Sequence, residues 1–354
     1  MSTSEFDDYK VDHLFLLIGE NPLPNYVAAR LLLNQGGTPY LVYTTGTEKP
    51  AKHLQTILSN EPIGLKTAQL VPLNDGEADA YQIQKAIRSK LESIKDGKIG
   101  LNYTGGTKAM SVHAYRAVFS KEPDTVFSYL DPRRLEMCID RENGDRIRIK
   151  VKPESLEVKL AKLFQIHGLE LKSKPTKEAQ LPELAAGLAT VFKDENQAKR
   201  WFDWYYNVFC ENARKKRNGN WGDWKSQTSL IELATPLEKV PQEILTAFCQ
   251  EKFVTSDNKL SLKQVQNQNT FTKLEHFCKY LDGLWLEHYV LQQVKNIAEK
   301  NSIKDYGLNF EVPLTGTRNG FEFDVAFTRG YQLFAISVST TSKRDLCKNK
   351  LFEA

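Results

Sequence analysis

The chain has 354 residues, 41% of them hydrophobic, so it is long enough for two or three domains with substantial cores. Its 48 basic and 44 acidic residues leave a net charge of +4, which permits a phosphate or nucleic-acid ligand without requiring one. Five scattered cysteines without CxxC spacing exclude a disulfide framework and a structural zinc site, and the apolar runs are too short to span a bilayer. We therefore expect a cytoplasmic protein that does not enter the membrane.

Strand-like and helical patterns alternate from Leu14 to about Lys152. The strand-like runs are LFLLI, PYLVYT, AQLVPL, KIGLNY, TVFSYL, RLEMCID and RIRIKV, and the helical runs are NYVAARLLLNQ, AKHLQTILSN, DAYQIQKAIRSKLESI and TKAMSVHAYRAVF. This alternation predicts a doubly wound α/β sheet, in which ligands bind where loops after strands meet helix N-termini. The loops GENPLPN (19–25) and NYTGGTK (102–108) occupy that position.

The TGGTK turn combines features that suit a phosphate group. Gly105 and Gly106 allow the backbone to approach a ligand, Thr104 and Thr107 offer hydroxyls, and Lys108 adds a positive charge at a helix N-terminus. The turn lacks the GxxxxGK[ST] spacing of a nucleotide-hydrolysing loop and the GxGxxG spacing of a dinucleotide site. The alternative is a tight strand-to-helix turn with a threonine cap.

The stretches NYTGGTKAMS, GENPLPNYVAARLL and FSYLDPRR together resemble the CARF domain, the Rossmann-like sensor of type III CRISPR systems. This resemblance implies that residues 1–152 form a homodimeric sensor that binds a cyclic oligoadenylate, commonly cyclic tetra-adenylate, across its two-fold axis. The ligand contacts that it implies are Thr104, Gly105, Gly106, Thr107 and Lys108, with Asn25, Thr44 and Thr45 as further candidates.

Residues 153–268 are predicted to form a helical connector, with a small hairpin or wing at KFVTSDNKLSL. The pattern AKRWFDWYYNVFCENARKK is helical throughout, and His167 is interpreted as a helix cap. In RKKRNGNWGDWK (214–225), basic residues stand beside Trp221 and Trp224, a combination suited to single-stranded nucleic acid. We favour the alternative, a solvated loop whose two tryptophans fold onto the core.

Three polar groups near the C-terminus are predicted to converge. Glu287 in WLEHYVLQQV projects from an apolar helical stripe. In GFEFDVAF, strand alternation places Asp324 opposite the apolar side chains, and in LFAISVST it places Ser337 and Ser339 on one face. If the two strands pair as a hairpin, Asp324 and the two serines lie beneath the helix that carries Glu287.

This layout resembles the PD-(D/E)XK nuclease core that is fused to CARF domains in dimeric effectors, so residues 269–354 are expected to form a restriction-endonuclease-like α/β domain. The resemblance implies that Glu287 and Asp324 hold Mg²⁺ or Mn²⁺. Ser337-Val338-Ser339 stands where the family has E-x-K, and serine hydroxyls neither neutralise a metal ion nor act as a cation.

The segment after these serines offers compensating charges, and the chain ends at Ala354 inside the helix expected there. The last strand of such a core is therefore expected to be absent, either because the native protein is longer or because the domain is reduced. The candidates for compensation are Lys343, Asp345, Lys348, Lys350 and Glu353.

The expected function is that of a homodimeric CRISPR-associated antiviral effector. Cyclic tetra-adenylate would activate metal-dependent cleavage of single-stranded or nicked DNA or RNA. Two alternatives stay open. The S-x-S sequence and the short C-terminus favour a catalytically inactive binding protein, and the hydroxyls and lysine of the TGGTK turn allow a ring nuclease that cleaves the cyclic messenger itself.

Overall fold

The computed structural model describes residues 4–140, 145, 147–217, 220–313 and 320–340. Its N-terminal part is a seven-stranded sheet in the order β3-β2-β1-β4-β5-β6-β7, with β1 to β5 parallel and β6 and β7 antiparallel. The predicted Rossmann-like sheet is confirmed. Its strands are β1 (Val11–Leu17), β2 (Leu33–Tyr43), β3 (Gln69–Pro72), β4 (Ile99–Asn102), β5 (Val126–Asp131), β6 (Glu136–Ile139) and β7 (Ile147–Lys150).

Helices cover both faces of this sheet. Successive side chains of β1 face opposite helix layers. Leu14 and Leu16 pack with the first helix pair, whereas Phe15 and Leu17 pack with the second. The first pair is α1 (Leu23–Leu32) and α2 (Glu48–Ser59), and the second is α3 (Ala80–Ser93) and α4 (Lys108–Phe119).

The first helix is shorter than its pattern predicts. The helical pattern continues to Gln35, but the chain becomes extended at Leu33. Leu33 pairs with Val11 of β1, so sheet hydrogen bonding ends the helix there.

The middle of the chain is a helical layer around an aromatic core that includes Trp201, Trp204 and Phe248. A π-helical turn, Tyr205–Cys210, lies between two of its helices. The helices are α5 (Leu160–Ile166), α6 (Pro182–Val191), α7 (Glu195–Trp204), α8 (Glu211–Ala213), α9 (Gln227–Ile231), α10 (Gln242–Gln250), α11 (Leu262–Asn267) and α12 (Leu274–Lys279). The short strands are β8 (Arg214–Arg217), β9 (Asn220–Trp224), β10 (Ala234–Pro236) and β11 (Lys259–Ser261).

Three local expectations in this layer have different outcomes. His167 lies at the C-terminal end of α5, as predicted, and Val254 pairs with Leu260 in the predicted small hairpin. The continuous helix predicted through Lys216 is wrong, because the helix ends at Ala213 and β8 begins there. No helix among the described residues is long and apolar enough to cross a bilayer.

The C-terminal part consists of a helix and an antiparallel sheet in the order β12-β13-β14. A π-helical turn, Tyr280–Leu284, leads into α13 (Trp285–Ala298), and the strands are β12 (Ile303–Val312), β13 (Phe321–Arg329) and β14 (Gln332–Ile336). The restriction-endonuclease-like assignment and the divisions at residues 152 and 268 stay predictions.

Helix α5 joins the two sheets. Its residues Leu163 and Ile166 belong to the N-terminal core, whereas Leu160 and Phe164 pack with Ala326 of β13. On the opposite face of the C-terminal sheet, α13 packs against β13. The C-terminal sheet therefore lies between α13 and the helix that leaves the N-terminal domain.

Candidate ligand turn and candidate nuclease site

The TGGTK turn lies at the topological switch point of the N-terminal sheet. Strand β1 pairs with β2 on one side and with β4 on the other, so the loops that follow β1 and β4 flank one crevice at the carboxyl edge of the sheet. Helix α1 begins at Leu23 and α4 at Lys108, which places two helix N-termini at this edge. The two loops selected from the sequence are therefore neighbours in the fold.

Close backbone packing requires both glycines of the turn. A Cβ atom on Gly105 would lie 2.3 Å from the carbonyl oxygen of Leu17 and 3.2 Å from Oδ1 of Asn25. Gly106 has a φ of 74°, and its Cβ would lie 3.1 Å from the Cβ of Leu17. Because a side chain at Gly105 would collide with the backbone, glycine is what lets the turn fold directly onto the end of β1.

Thr104 is held by the neighbouring strand β5. Its Oγ1 accepts a hydrogen bond from the N–H of Leu130 at 2.8 Å, and its own N–H donates to Oδ1 of Asn102 at 3.2 Å. Asn102 is fully buried and donates through Nδ2 to Oγ of Ser128 at 3.0 Å. Asn102 is not among the predicted site residues, although an amide side chain at the end of a buried strand is a signal that sequence inspection can use.

Tyr103 anchors the turn from its other side. Its hydroxyl donates to Oδ2 of Asp140 at 2.6 Å, and its ring stacks on Tyr129 with centroids 5.9 Å apart. Burial raises the pKa of Tyr103 far above its ordinary value, so the phenol stays protonated and remains a donor.

Thr107 caps helix α4. Its Oγ1 accepts from the N–H of Met110 at 3.1 Å and donates to the carbonyl oxygen of Glu77 at 3.0 Å. The hydroxyl hydrogen is therefore used within the chain, which is the arrangement that the threonine-cap alternative predicts. Lys108 is exposed in the first turn of α4, so its ammonium group stands at the positive end of the helix dipole.

The three further ligand candidates differ in exposure. Asn25 is fully buried beneath the turn and donates through Nδ2 to the carbonyl oxygen of Leu17 at 2.9 Å. Thr44 is also buried, with its Oγ1 3.3 Å from Oγ1 of Thr47. Thr45 is exposed. Asn25 and Thr44 thus support the backbone around them, whereas Thr45 is open to solvent.

Glu287 lies on the wall of a cavity of about 320 Å³ between the π-helical turn at 280–284, α13 and the segment that follows β14. Ser339 lines the same cavity, so the fold brings these two predicted residues together. The complete lining is Lys279, Asp282, Gly283, Leu284, Glu287, Val338, Ser339 and Thr340.

Asp324 lies next to this cavity. The pairing of Val325 with Ile336 places Asp324 opposite Ser337 across the hairpin, as predicted. Oδ2 of Asp324 accepts hydrogen bonds from the N–H of Val338 at 2.7 Å and from Oγ of Ser337 at 3.2 Å. Since Val338 lines the cavity, Asp324 is hydrogen-bonded to the backbone of a lining residue.

The described side chains at and beside the cavity offer carboxylate and hydroxyl oxygens. Carboxylate and hydroxyl oxygens are the hard donors that Mg²⁺ prefers. No group of three or more His, Cys, Asp or Glu side chains is placed to hold a metal ion within the described ranges. The charges proposed to compensate lie outside the described residues. These are Lys343, Asp345, Lys348, Lys350 and Glu353.

Asp282 is a second carboxylate on the cavity wall and is not among the residues predicted from the sequence. The hydroxyl of Tyr205 donates to its Oδ1 at 2.6 Å, and the guanidinium of Arg214 contacts its Oδ2 at 2.5 Å. Burial raises the pKa of Tyr205 well above its usual range and therefore keeps the donor proton in place. Two π-helical turns, at 205–210 and 280–284, thus meet beside the cavity.

His288 fixes the other side of α13. Its side chain is buried, which lowers its pKa to about 4 and leaves the imidazole neutral at pH 7. Nδ1 accepts a hydrogen bond from the N–H of Gln180 at 3.0 Å. The helix that carries Glu287 is thereby tied to the connector.

Residues 14–159 match the family model described as the Card1 CARF domain. The matched range contains the sheet, the loop after β1 and the TGGTK turn. The expected CARF domain in the N-terminal part of the chain is therefore confirmed.

Two solved structures share the fold of most of the chain. One is Can2 from Sulfobacillus thermosulfidooxidans in complex with cyclic tetra-adenylate, with a TM-score of 0.63 and 17% sequence identity over 96% of this chain and 84% of that one. The other is protein VC1899 from Vibrio cholerae, with a TM-score of 0.62 and 17% identity over 94% of this chain and 81% of that one. No curated protein matches the chain.

Proposed function

We propose that the chain is a sensor-effector in which a cyclic oligoadenylate, cyclic tetra-adenylate in the first instance, binds the N-terminal domain and activates cleavage of nucleic acid by the C-terminal domain. The observation that carries the proposal is the Gly105–Gly106 turn, folded onto β1 at the switch point within the CARF match. The shared fold with the Can2 complex supports the choice of ligand.

The turn is suited to a phosphate of the cyclic ligand. The glycines let the turn pack closely onto the end of β1, and Lys108 offers a charge-assisted hydrogen bond at the start of α4. Asn25, Thr104 and the Thr107 hydroxyl hold the loops after β1 and β4 in place. Thr44 holds the turn after β2, where we propose that Thr45 contacts the ligand. Because these loops are rigidly hydrogen-bonded, the site needs little ordering when the ligand arrives.

We propose that two chains bind one activator. A cyclic tetranucleotide has two-fold symmetry, and a two-fold dimer presents the same TGGTK turn twice. Closure of the dimer on the ligand would then bring the two C-terminal domains towards each other.

For the effector, we propose that Glu287 and Asp324 hold Mg²⁺ or Mn²⁺ beside the cavity. A metal ion bound there would polarise the phosphodiester and make a water molecule more acidic. Ser337 and the N–H of Val338 orient the Asp324 carboxylate, and Ser339 lines the same cavity as Glu287. The substrate would be single-stranded or nicked DNA or RNA.

One observation favours a second candidate, a catalytically inactive oligoadenylate-binding protein. Asp324 is already engaged by Val338 and Ser337, and the two serines add no charge to the site. The third possibility, a ring nuclease, has less support because the Thr107 hydroxyl is used to cap α4.

The sensor half is tested by calorimetry with cyclic tetra-adenylate. Lys108→Ala removes a charge-assisted contact of about 1.5–3 kcal/mol, so affinity should fall tenfold or more. Lys121→Ala, just beyond the other end of α4, is the matched control and should bind as the parent does. The parent should bind one activator per two chains by titration and light scattering. Unchanged affinity in a folded Lys108→Ala protein would remove the turn from the site.

A further inference from the structure

We propose that a surface beside the cavity is a track for single-stranded nucleic acid. The surface, named here the aromatic-basic track, consists of Phe202, Tyr206, Arg214, Lys215, Lys216 and Trp221. The inference rests on the proposed nuclease function and specifies how its substrate reaches the cavity that contains Glu287.

Exposed rings are concentrated at this surface. Phe202, Tyr206 and Trp221 are 38%, 44% and 39% exposed, and Leu284 on the cavity wall is 38% exposed. The rings of Phe202 and Tyr206 stack with centroids 5.8 Å apart and an interplanar angle of 15°. Single exposed apolar residues need no explanation, but a group of them beside a cavity marks a binding surface.

The hairpin β8–β9 adds positive charge to the rings. Lys216 lies 5.6 Å from the ring centroid of Trp221, and Arg214 lies 3.6 Å from that of Trp224. Trp224 is buried in the connector core, as the favoured alternative predicts, but Trp221 is exposed, so that alternative is wrong for one of the two tryptophans. Lys215 is exposed on the same strand.

Continuous contacts connect this surface to the cavity. The ring of Tyr206 packs against Tyr205 at 5.1 Å, and Tyr205 donates to Asp282 on the cavity wall. Arg214 contacts the same carboxylate from the hairpin. Asp282 on the cavity wall therefore contacts Arg214 of the track directly and Tyr206 through Tyr205.

The positive charge of the aromatic-basic track indicates what kind of molecule binds there. Between positions 214 and 225 the chain has five basic residues and one acidic residue. Arg214 is paired with Asp282 and Lys216 with Glu211, so the excess positive charge rests on the other basic residues of the hairpin, such as the exposed Lys215. A second copy of the chain would bring two such surfaces into contact and create repulsion, whereas a polyanion would be neutralised. Exposed ring faces stack on unpaired bases, so a single strand fits this surface better than a duplex does.

The test measures binding of a fluorescent oligothymidylate by anisotropy, with cyclic tetra-adenylate present and EDTA added to prevent cutting. Trp221→Ala and Tyr206→Ala should each weaken binding by about fivefold or more, as expected for the loss of base stacking. Tyr81→Ala is the matched control, because Tyr81 is 69% exposed, lies 5.9 Å from Lys85, and belongs to α3 rather than to the lining of the cavity. Lys215→Gln should lower the slope of log affinity against log salt by about 0.7.

The possible results test the aromatic-basic track and the nuclease function independently. Unchanged affinity in both aromatic variants would overturn the track, and the nuclease function would still stand if Asp324→Asn abolishes cutting. A parent that binds the oligonucleotide through these rings but never cuts would support the track and refute the nuclease. Equal affinity for a duplex would overturn the single-strand assignment, and self-association that disappears in Trp221→Ala would identify a second copy of the chain as the occupant.

Discussion

The main-chain N–H of Val158 donates a hydrogen bond to the carbonyl oxygen of Gly330 at 2.9 Å. Gly330 and Tyr331 form the turn between β13 and β14, and the side chain of Tyr331 is buried in the core of the N-terminal domain. The other end of the same hairpin carries Asp324 and leads to Ser337. One hairpin thus connects the proposed sensor to the proposed metal site.

Two substitutions at Tyr331 test this connection. Tyr331→Ala should lower the free energy of unfolding by about 3 kcal/mol through the cavity it creates, and it should weaken activation of cutting by cyclic tetra-adenylate. Tyr331→Phe should leave stability unchanged or slightly raised, because the buried hydroxyl has no hydrogen-bond partner among the described residues. Urea unfolding measures the stability of both variants, and a cutting assay with cyclic tetra-adenylate measures activation. Equal midpoints for the parent and Tyr331→Ala would show that the turn is not anchored in the N-terminal core.

The glycine turn gives a steric prediction. Gly105→Ala places a Cβ 2.3 Å from the carbonyl oxygen of Leu17, so the turn must move and the phosphate contacts should be lost. We expect no measurable binding of cyclic tetra-adenylate, with a cost in stability of about 1–3 kcal/mol. Gly46→Ala is the control, because its Cβ would meet only Oγ1 of Thr44 at 3.9 Å. Retained binding in Gly105→Ala would contradict the proposed site.

A buried charge network at the base of the N-terminal domain gives a prediction about stability. Glu61 is 6% exposed, accepts from the hydroxyl of Tyr26 at 3.0 Å, and forms ion pairs with Arg30 and, at 3.1 Å, with Lys162 of α5. Glu61→Gln leaves two cations without their partner. Because both cations reach solvent, we expect a loss of about 2 kcal/mol, below the 3–5 kcal/mol of a fully buried pair.

Thermal and urea unfolding measure the effect of Glu61→Gln. The control is Glu157→Gln, since Glu157 forms an exposed pair with Lys304 at 3.8 Å and its loss should change stability by less than about 0.5 kcal/mol. Similar values for the two variants would show that the network does not hold α5 to the N-terminal domain.

Local patterns predict the N-terminal fold well because each strand alternates between two helix layers, as Leu14 and Phe15 illustrate. They also place Asp324 opposite Ser337, since a period of two fixes which side chains face each other across a hairpin. The strand at Arg214 is missed because the helical spacing extends past Ala213, although β8 pairs with the neighbouring β9. Asn218-Gly219 between the two strands is a local hairpin signal that the apolar spacing does not register.

The Asp324 site is the most demanding prediction. If Asp324 holds the metal ion, Asp324→Asn should abolish activator-dependent cutting by orders of magnitude and leave the affinity for cyclic tetra-adenylate unchanged. Cutting is measured with Mn²⁺, labelled single-stranded DNA and RNA, and intact cyclic tetra-adenylate quantified at the end of the reaction. Removal of Mn²⁺ with EDTA should stop cutting in the parent to the same extent.

Restoring the family sequence distinguishes a working site from a lapsed one. Ser337→Glu with Ser339→Lys returns a carboxylate and a cation to the positions beside Asp324 and the cavity, and it should raise the rate of cutting if the parent is slow because of missing charge. If the parent never cuts and the double variant does, the protein is a binding protein built on a lapsed nuclease. If the parent cuts equally well after Asp324→Asn, the metal ion lies elsewhere, and the charged residues beyond Thr340 become the candidates to replace next.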